Sequence, residues 1–185
     1  MTETPLHFKT ILELASMIES KTISPVEVTE SALKRIGQQD PQYKSYATVM
    51  AEQARASAKA AEQAIASGNY LGPLHGVPIA VKDLCFTKGV PTMGATKALK
   101  THVPDFDCTV VQKLNDAGAV ILGKLNLTEG AMAGYNPEFQ VPVNPWGSHL
   151  WSGASSSGSG VATAAGLCYG SVSYTHLTLP TIYSV

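Results

Sequence analysis

The sequence predicts an α/β fold with a parallel sheet covered by helices. A helical segment, residues 1–70, contains apolar residues at helical spacing behind two N-capping patterns. In the following segment, residues 71–171, short apolar runs alternate with helical patterns, an order typical of a parallel sheet. Of the 185 residues 44% are hydrophobic, and the formal net charge is −1. This composition is typical of a globular protein and gives no sign of nucleic acid or a membrane as the main partner.

Three helices are predicted in the first segment. Capping boxes begin at Thr10 and at Ser24, and Pro25 stands at the first helical position after the second box. A third, Ala-rich helix covers about residues 50–67, and the Gly68-Asn69 pair is expected to end it. We expect all three helices to serve packing.

The second segment contains two predicted strands and two further helices. The apolar run 77–81 suits a strand buried on both faces and ends at Lys82, and residues 120–122 form a second such run. Between them Asp107 is expected to cap a helix, and Thr128 to open a short one after the second strand.

A loop rich in hydroxyls and glycines, GASSSGSG at residues 153–160, leads into a run of small residues, 161–166. Such a loop places backbone N–H groups at a helix N-terminus, where an anion or a developing oxyanion is held. It does not match a phosphate-binding loop, because no lysine follows Gly158. It does not match a nucleophile elbow either, because Ser157 occupies the second glycine position. A flexible linker is the alternative.

Lys82 is a candidate general base. A lysine at a strand end is usually solvated, and that is the alternative here. If the side chain is buried, desolvation disfavours the ammonium, and a neutral amine beside hydroxyls can accept a proton. Asp83, the next residue, is expected to cap the strand end or orient the backbone.

Four motifs together resemble the amidase signature family: GVPIAVKD at 76–83, GAVILGKLNLTE at 118–129, NPW at 144–146 and the serine loop at 153–160. They occur in the family's order, and the resemblance extends from residue 5 to about residue 171. It implies a central, mostly parallel mixed sheet flanked by helices. Residues 1–171 would then be a partial amidase domain.

The resemblance also implies roles for individual residues. Lys82 and Ser155 correspond to two members of a Ser–Ser–Lys triad, in which Ser155 follows a cis peptide and relays a proton to a second serine that attacks the amide carbonyl. Met132 corresponds to a position that lines the acyl pocket, with an apolar core residue as the alternative. Ser155 is also expected to contact substrate. Ser156 and Ser159 are expected to bond to the turn backbone, and the resemblance assigns no proton transfer to Lys124.

The attacking serine of the family corresponds to position 179, which is Leu179 here, and the glycines of the oxyanion hole are absent too. The run VSYTHLTLPT from residue 172 reads as a translated transposon-end adapter from a sequencing library. We therefore expect residues 172–185 to be a non-native tail on an N-terminal fragment that is inactive. A divergent natural C-terminus is the alternative.

Three functions are compatible with these observations. The resemblance implies that the parent protein hydrolyses a carboxamide to a carboxylate and ammonia or an amine. The amidase subunit of a glutamyl-tRNA(Gln)/aspartyl-tRNA(Asn) amidotransferase is the alternative within the same fold. A third interpretation is a non-catalytic module in which Lys82 and the serine loop bind a carboxylate.

The expected partner is a small-molecule amide, without direct contact to nucleic acid or membrane, and a homodimer stays open. We predict no cofactor and no metal site, because the histidines are scattered and the three cysteines lack metal-binding spacing. The start of the chain lacks the features of a signal peptide, and no apolar run is long enough to cross a bilayer. Together with an odd number of cysteines, this predicts a cytoplasmic protein.

Overall fold

The chain folds around an open β-sheet with helices packed against it. The computed structural model describes residues 4–132 and 134–173. The helices in this part are α1 Ile11–Glu19, α2 Pro25–Tyr43, α3 Ala51–Ala66, α4 Thr109–Asp116 and α5 Ser157–Ala164. The strands in this part are β1 Tyr46–Val49, β2 Pro78–Lys82, β3 Val120–Leu125 and β4 Ser171–Val172. A short 3₁₀ turn, Glu129–Ala131, follows β3.

The first two helices begin at the predicted capping boxes. The Thr10 hydroxyl accepts a hydrogen bond from the backbone N–H of Glu13, and the carboxylate of Glu13 accepts one from the backbone N–H of Thr10. The same reciprocal pair joins Ser24 and Glu27, and α2 begins at Pro25. Each box satisfies N–H groups that have no partner inside the helix. These predictions are confirmed.

The predicted cap of α4 is wrong. The N-cap residue is Cys108, one position later than Asp107. The carboxylate of Asp107 instead accepts hydrogen bonds from the Lys88 backbone N–H at 2.7 Å and from the Asn115 side chain at 3.3 Å. These two donors occupy both carboxylate oxygens of Asp107. Asp107 therefore joins the preceding loop to α4 and does not cap the helix.

The sheet is mixed and mostly parallel, as predicted. The strand order is β1-β3-β2-β4 among the described residues, and β2 runs parallel to both β3 and β4. β1 pairs antiparallel with β3 and has no counterpart in the sequence-based prediction, although it lies within the segment 1–70. Its four residues are too few to show a clear alternation of apolar and polar positions.

Both faces of the two central strands are buried. Every residue of β2 and β3 is buried. Ala80 belongs to one apolar cluster, which also contains residues of α2, α3 and α5. Its neighbours Ile79 and Val81 belong to a second cluster, which includes residues of α1 and α4. This alternation confirms a strand covered by helices on both sides.

No helix in the described ranges has both the length and the apolar character needed to cross a membrane. Two residues of the predicted non-native tail lie in the described part, and one of them, Val172, pairs with Val81. The remaining tail residues, including Leu179, lie outside the described residues. The tail therefore stays a prediction.

Candidate active site

The candidate site lies where β2 and β3 end side by side. Lys82, the last residue of β2, pairs with Leu125, the last residue of β3. Because the two strands are parallel, the residues that follow them meet at one edge of the sheet. The backbone N–H of Asp83 continues this contact by donating to the Leu125 carbonyl at 2.9 Å.

The structure brings the two predicted catalytic side chains together. Lys82 is fully buried, and its Nζ donates to Ser155 Oγ at 2.6 Å and to Ser156 Oγ at 3.0 Å. The alternative of a solvated lysine at the strand end is therefore wrong. The expected bond from the Ser156 hydroxyl to the turn backbone is not observed; this hydroxyl accepts from Lys82 instead. Two hydroxyls in contact with one buried amine form an arrangement suited to proton transfer.

Ser155 is held in place through its backbone. Its N–H donates to Thr128 Oγ1 at 2.8 Å, and Thr128 is fully buried just after β3. The φ angle of Ser155 is +56°, in the left-handed region that non-glycine residues rarely adopt. The expected cis peptide is not observed, since no peptide bond among the described residues is cis. The chain turns here at a positive φ angle with a trans peptide bond.

The serine loop is joined to the sheet by a close backbone contact at Gly158. Its N–H donates to the Asn126 carbonyl at 2.9 Å. A Cβ at this position would lie 2.4 Å from that carbonyl oxygen and 2.7 Å from the Ser45 carbonyl oxygen. Only glycine fits here without displacement of backbone. The loop therefore is not a flexible linker: its residues 157–160 already form the first half of α5, which is fixed against the end of β3.

Two further serines of the loop are buried. The hydroxyls of Ser157 and Ser159 have no hydrogen-bond partner among the described residues. The expected bond from Ser159 to the turn backbone is thus not observed. Ser159 and Ser156 line an open cavity of about 560 Å³, whose wall also includes Thr163, Ser171 and Ser173. The cavity reaches the Lys82 contact through Ser156, and most of its exposed wall is apolar.

A second buried lysine, Lys124, lies on the neighbouring strand β3. Lys124 Nζ is 3.1 Å from Asp83 Oδ1 and donates to Thr92 Oγ1 at 2.6 Å, and the lysine and aspartate side chains are buried. Asp83 Oδ2 accepts from the Met93 backbone N–H at 2.9 Å, which confirms its predicted role in orienting the backbone. Burial raises the pKa of Asp83 and lowers the pKa of Lys124, and each partner's charge opposes that shift. This ion pair was not predicted from the sequence, although a lysine inside an apolar strand was a visible signal.

Met132 is 74% exposed, so the alternative of an apolar core residue is wrong. Its backbone carbonyl accepts a hydrogen bond from Thr128 Oγ1, the atom that also accepts from Ser155 N–H. This places the main chain of Met132 two hydrogen bonds from Ser155. A role in the acyl pocket stays a prediction.

Within residues 4–132 and 134–173, no group of three or more His, Cys, Asp or Glu side chains is arranged to hold a metal ion. The three cysteines are free thiols, and burial raises the pKa of both Cys85 and Cys168 to about 11. Such thiols stay protonated near neutral pH and are poor nucleophiles.

Comparison with known proteins agrees with this geometry. The family model described as Amidase matches residues 27–173. The Mycobacterium tuberculosis protein named "Putative amidase AmiD" is 55% identical over 162 residues, which are 88% of this chain and 34% of that protein. A glutamyl-tRNA(Gln) amidotransferase subunit of Synechococcus elongatus is 46% identical over 160 residues, 85% of this chain and 33% of the relative.

Solved structures show the same fold. A bacterial aryl acylamidase, described as an amidase signature enzyme, has a TM-score of 0.82 at 30% identity, covering 89% of this chain and 35% of its own. The chain spans about a third of the length of the curated relatives that it matches. The family match covers most of the chain and includes both Lys82 and the serine loop. The chain therefore belongs to the amidase signature family.

Proposed function

We propose that this chain provides the lysine and the first serine of a Ser–Ser–Lys triad, and that the whole protein hydrolyses a small carboxamide. The single observation that carries this proposal is the 2.6 Å contact between the fully buried Lys82 Nζ and the half-buried Ser155 Oγ. The amidase family match and the 55% identical relative support the same chemistry.

In the proposed reaction, Lys82 without its extra proton takes the proton of Ser155 Oγ, and Ser155 takes the proton of the attacking serine. The oxygen of that serine forms a bond to the amide carbonyl carbon. When the carbon–nitrogen bond breaks, the proton returns through Ser155 to the leaving nitrogen, which departs as ammonia or an amine. Water then hydrolyses the acyl ester, so that the carboxylate is released and the serine is regenerated.

The attacking serine is the part that the printed sequence lacks. By the motif resemblance it would correspond to position 179, where this chain has Leu179, and a leucine side chain offers no nucleophile. We propose that the chain as printed has no amidase activity. A longer chain that continues naturally after Ser171 would contain the missing serine and its oxyanion hole.

The amidase subunit of a tRNA-dependent amidotransferase is the second candidate function. The 46% identity to an amidotransferase subunit favours it, whereas the higher identity to AmiD favours a free amidase. A protein of this kind would hydrolyse glutamine inside a complex, so its activity would depend on a partner subunit. The two functions share the Lys82–Ser155 contact and differ in substrate and partner.

The test begins with the genomic DNA that follows the codon for Ser171, from which the longer chain is expressed. We expect this chain to hydrolyse simple amides and the printed chain to stay at background. Lys82→Met should lower kcat at least a hundredfold, because a positioned general base contributes about 10²–10⁴-fold. Lys59→Met, at an exposed position of α3, is the matched control and should leave kcat unchanged.

Other outcomes would overturn the proposal. Glutamine hydrolysis that appears only with a tRNA-binding partner subunit would establish the amidotransferase function. Tight carboxylate binding without turnover would establish the binding module instead. Full activity of the Lys82→Met variant would remove the lysine from the mechanism.

A further inference from the structure

The two buried lysines lie on opposite faces of the sheet. Lys124 pairs with Val81, so it shares a face with that residue, whereas Lys82 is the next residue along β2 and faces the other way. The contacts agree, because Lys82 meets the serines beside α5 and Lys124 meets Asp83. The register between β2 and β3 shifts just before this point. Such an irregularity reorients the side chains that follow it.

The Asp83–Lys124 pair is costly to bury. Both side chains are withdrawn from solvent, with exposed fractions of 1% and 0%. Desolvation raises the pKa of Asp83 and lowers the pKa of Lys124. Replacing a buried ion pair with apolar residues is often neutral or stabilising. The stability of the fold therefore does not by itself account for the pair.

Asp83 fixes the backbone next to Lys82 on three sides. Its N–H donates to the Leu125 carbonyl at 2.9 Å, its carbonyl accepts from Gly94 N–H at 3.0 Å, and its carboxylate accepts from Met93 N–H at 2.9 Å. The ammonium of Lys124 balances the carboxylate charge that makes the last of these bonds strong. Because Lys82 directly precedes Asp83, these bonds also fix the origin of the Lys82 side chain.

The segment after β2 that contains Met93 and Gly94 is also connected to Ser155. The Gly94 carbonyl accepts from the N–H of Gly130 at 2.8 Å, in the turn that begins at Thr128. Thr128 Oγ1 in turn accepts from Ser155 N–H. A chain of hydrogen bonds and short backbone links therefore connects Asp83 to Ser155 through the turn at Gly94 and the turn at Thr128. The contact between Ser155 Oγ and the Lys82 amine closes the ring.

We propose that Asp83 and Lys124 form a positioning pair that holds the Lys82 amine within proton-transfer distance of Ser155. The catalytic consequence rests on the function proposed above, whereas the geometric consequence does not. Neither residue touches the reacting atoms in this scheme. Loss of the pair would loosen the loop at Gly94 and, through the turn at Thr128, the backbone of Ser155.

The test uses the longer chain with the double substitution Asp83→Asn and Lys124→Met. This double substitution removes both charges together, and the side-chain oxygen of the new asparagine can still accept from the Met93 backbone N–H. The matched control is Glu30→Gln with Arg55→Met, which removes the half-exposed ion pair of 2.7 Å between α2 and α3.

The first readout is hydrogen exchange of the peptide that contains Ser155, followed by mass spectrometry. We expect exchange at least tenfold faster in the Asp83/Lys124 double variant and unchanged exchange in the control. Unchanged exchange in a double variant that still unfolds cooperatively would overturn the proposal. If that variant does not fold, Thr92→Val removes the hydroxyl that holds Lys124 beside Asp83 by accepting from its Nζ at 2.6 Å and that also donates to the Val90 carbonyl at 3.4 Å. Unchanged exchange in this variant would overturn the proposal equally.

The second readout is amide hydrolysis. We expect kcat of the double variant to fall at least tenfold with KM within twofold of wild type, whereas a purely structural role would reduce only the amount of folded enzyme. Unchanged kcat per folded molecule would overturn the positioning role. If the unsubstituted longer chain hydrolyses no amide, the proposed function fails, and hydrogen exchange still decides the geometric proposal.

Discussion

Replacement of Gly158 by alanine tests how the serine loop is attached to the sheet. The new Cβ would lie 2.4 Å from Asn126 O, 2.6 Å from Asn126 N and 2.7 Å from Ser45 O. All three are backbone atoms that adjoin strands β1 and β3, so none can rotate away. Carbon atoms make favourable contacts at about 3.5–4.0 Å, and the start of α5 would have to move by about 1 Å.

The expected cost follows from two contributions. Overpacking against fixed neighbours costs about 1–3 kcal/mol. Loss of the Gly158 N–H bond to the Asn126 carbonyl adds about 0.5–1.5 kcal/mol. Alanine gains about 0.5–1 kcal/mol over glycine in a helix, but the matched variant Gly160→Ala gains the same. Gly160 has no atom within 4 Å of the corresponding Cβ.

The difference between the two variants therefore isolates the contact. We expect Gly158→Ala to be less stable than Gly160→Ala by roughly 1.5–4.5 kcal/mol, the sum of the two contributions. Urea denaturation followed by circular dichroism measures this difference directly. Equal free energies of unfolding for the two variants would show that α5 is not seated against the end of β3, and the account of the serine loop would fail.

Three further predictions concern stability and are measured by the same denaturation. Ser24→Ala removes the hydroxyl that caps α2 at Glu27 N–H and should cost about 1 kcal/mol, whereas Ser24→Thr should cost much less. Tyr46→Phe removes the buried bond of 3.0 Å to the Leu167 carbonyl and should cost about 1 kcal/mol, and no loss would mean that this bond is not formed. Burial lowers the pKa of His75 below its usual 6.5, and its Nδ1 accepts a backbone N–H, so protonation favours the unfolded chain. The contribution of His75 is present above pH 6.5 and is lost as the pH falls below it, so His75→Asn should reduce the loss of stability between about pH 7.5 and 5.5.

Local signals in the sequence predicted much of the fold. A capping box joins residues three positions apart, and the apolar run that ends at Lys82 is read from consecutive residues, so neither depends on the rest of the chain. The motif resemblance linked Lys82 to Ser155 across 73 positions, and the structure places their side chains 2.6 Å apart. The sequence by itself therefore determined most of the elements, although not β1, and through the motif resemblance it determined the central contact of the candidate site.

Tertiary structure alone decided how that contact is supported. Lys124 contacts Asp83 because the register of β2 against β3 sets which side chains share a face. Ser156 is a second acceptor for Lys82 because the start of α5 is attached to the end of β3 at Gly158. The requirement for glycine at position 158 arises from backbone groups of two other segments of the chain. Such distances depend on strand pairing between distant segments, and no pattern of neighbouring residues encodes them.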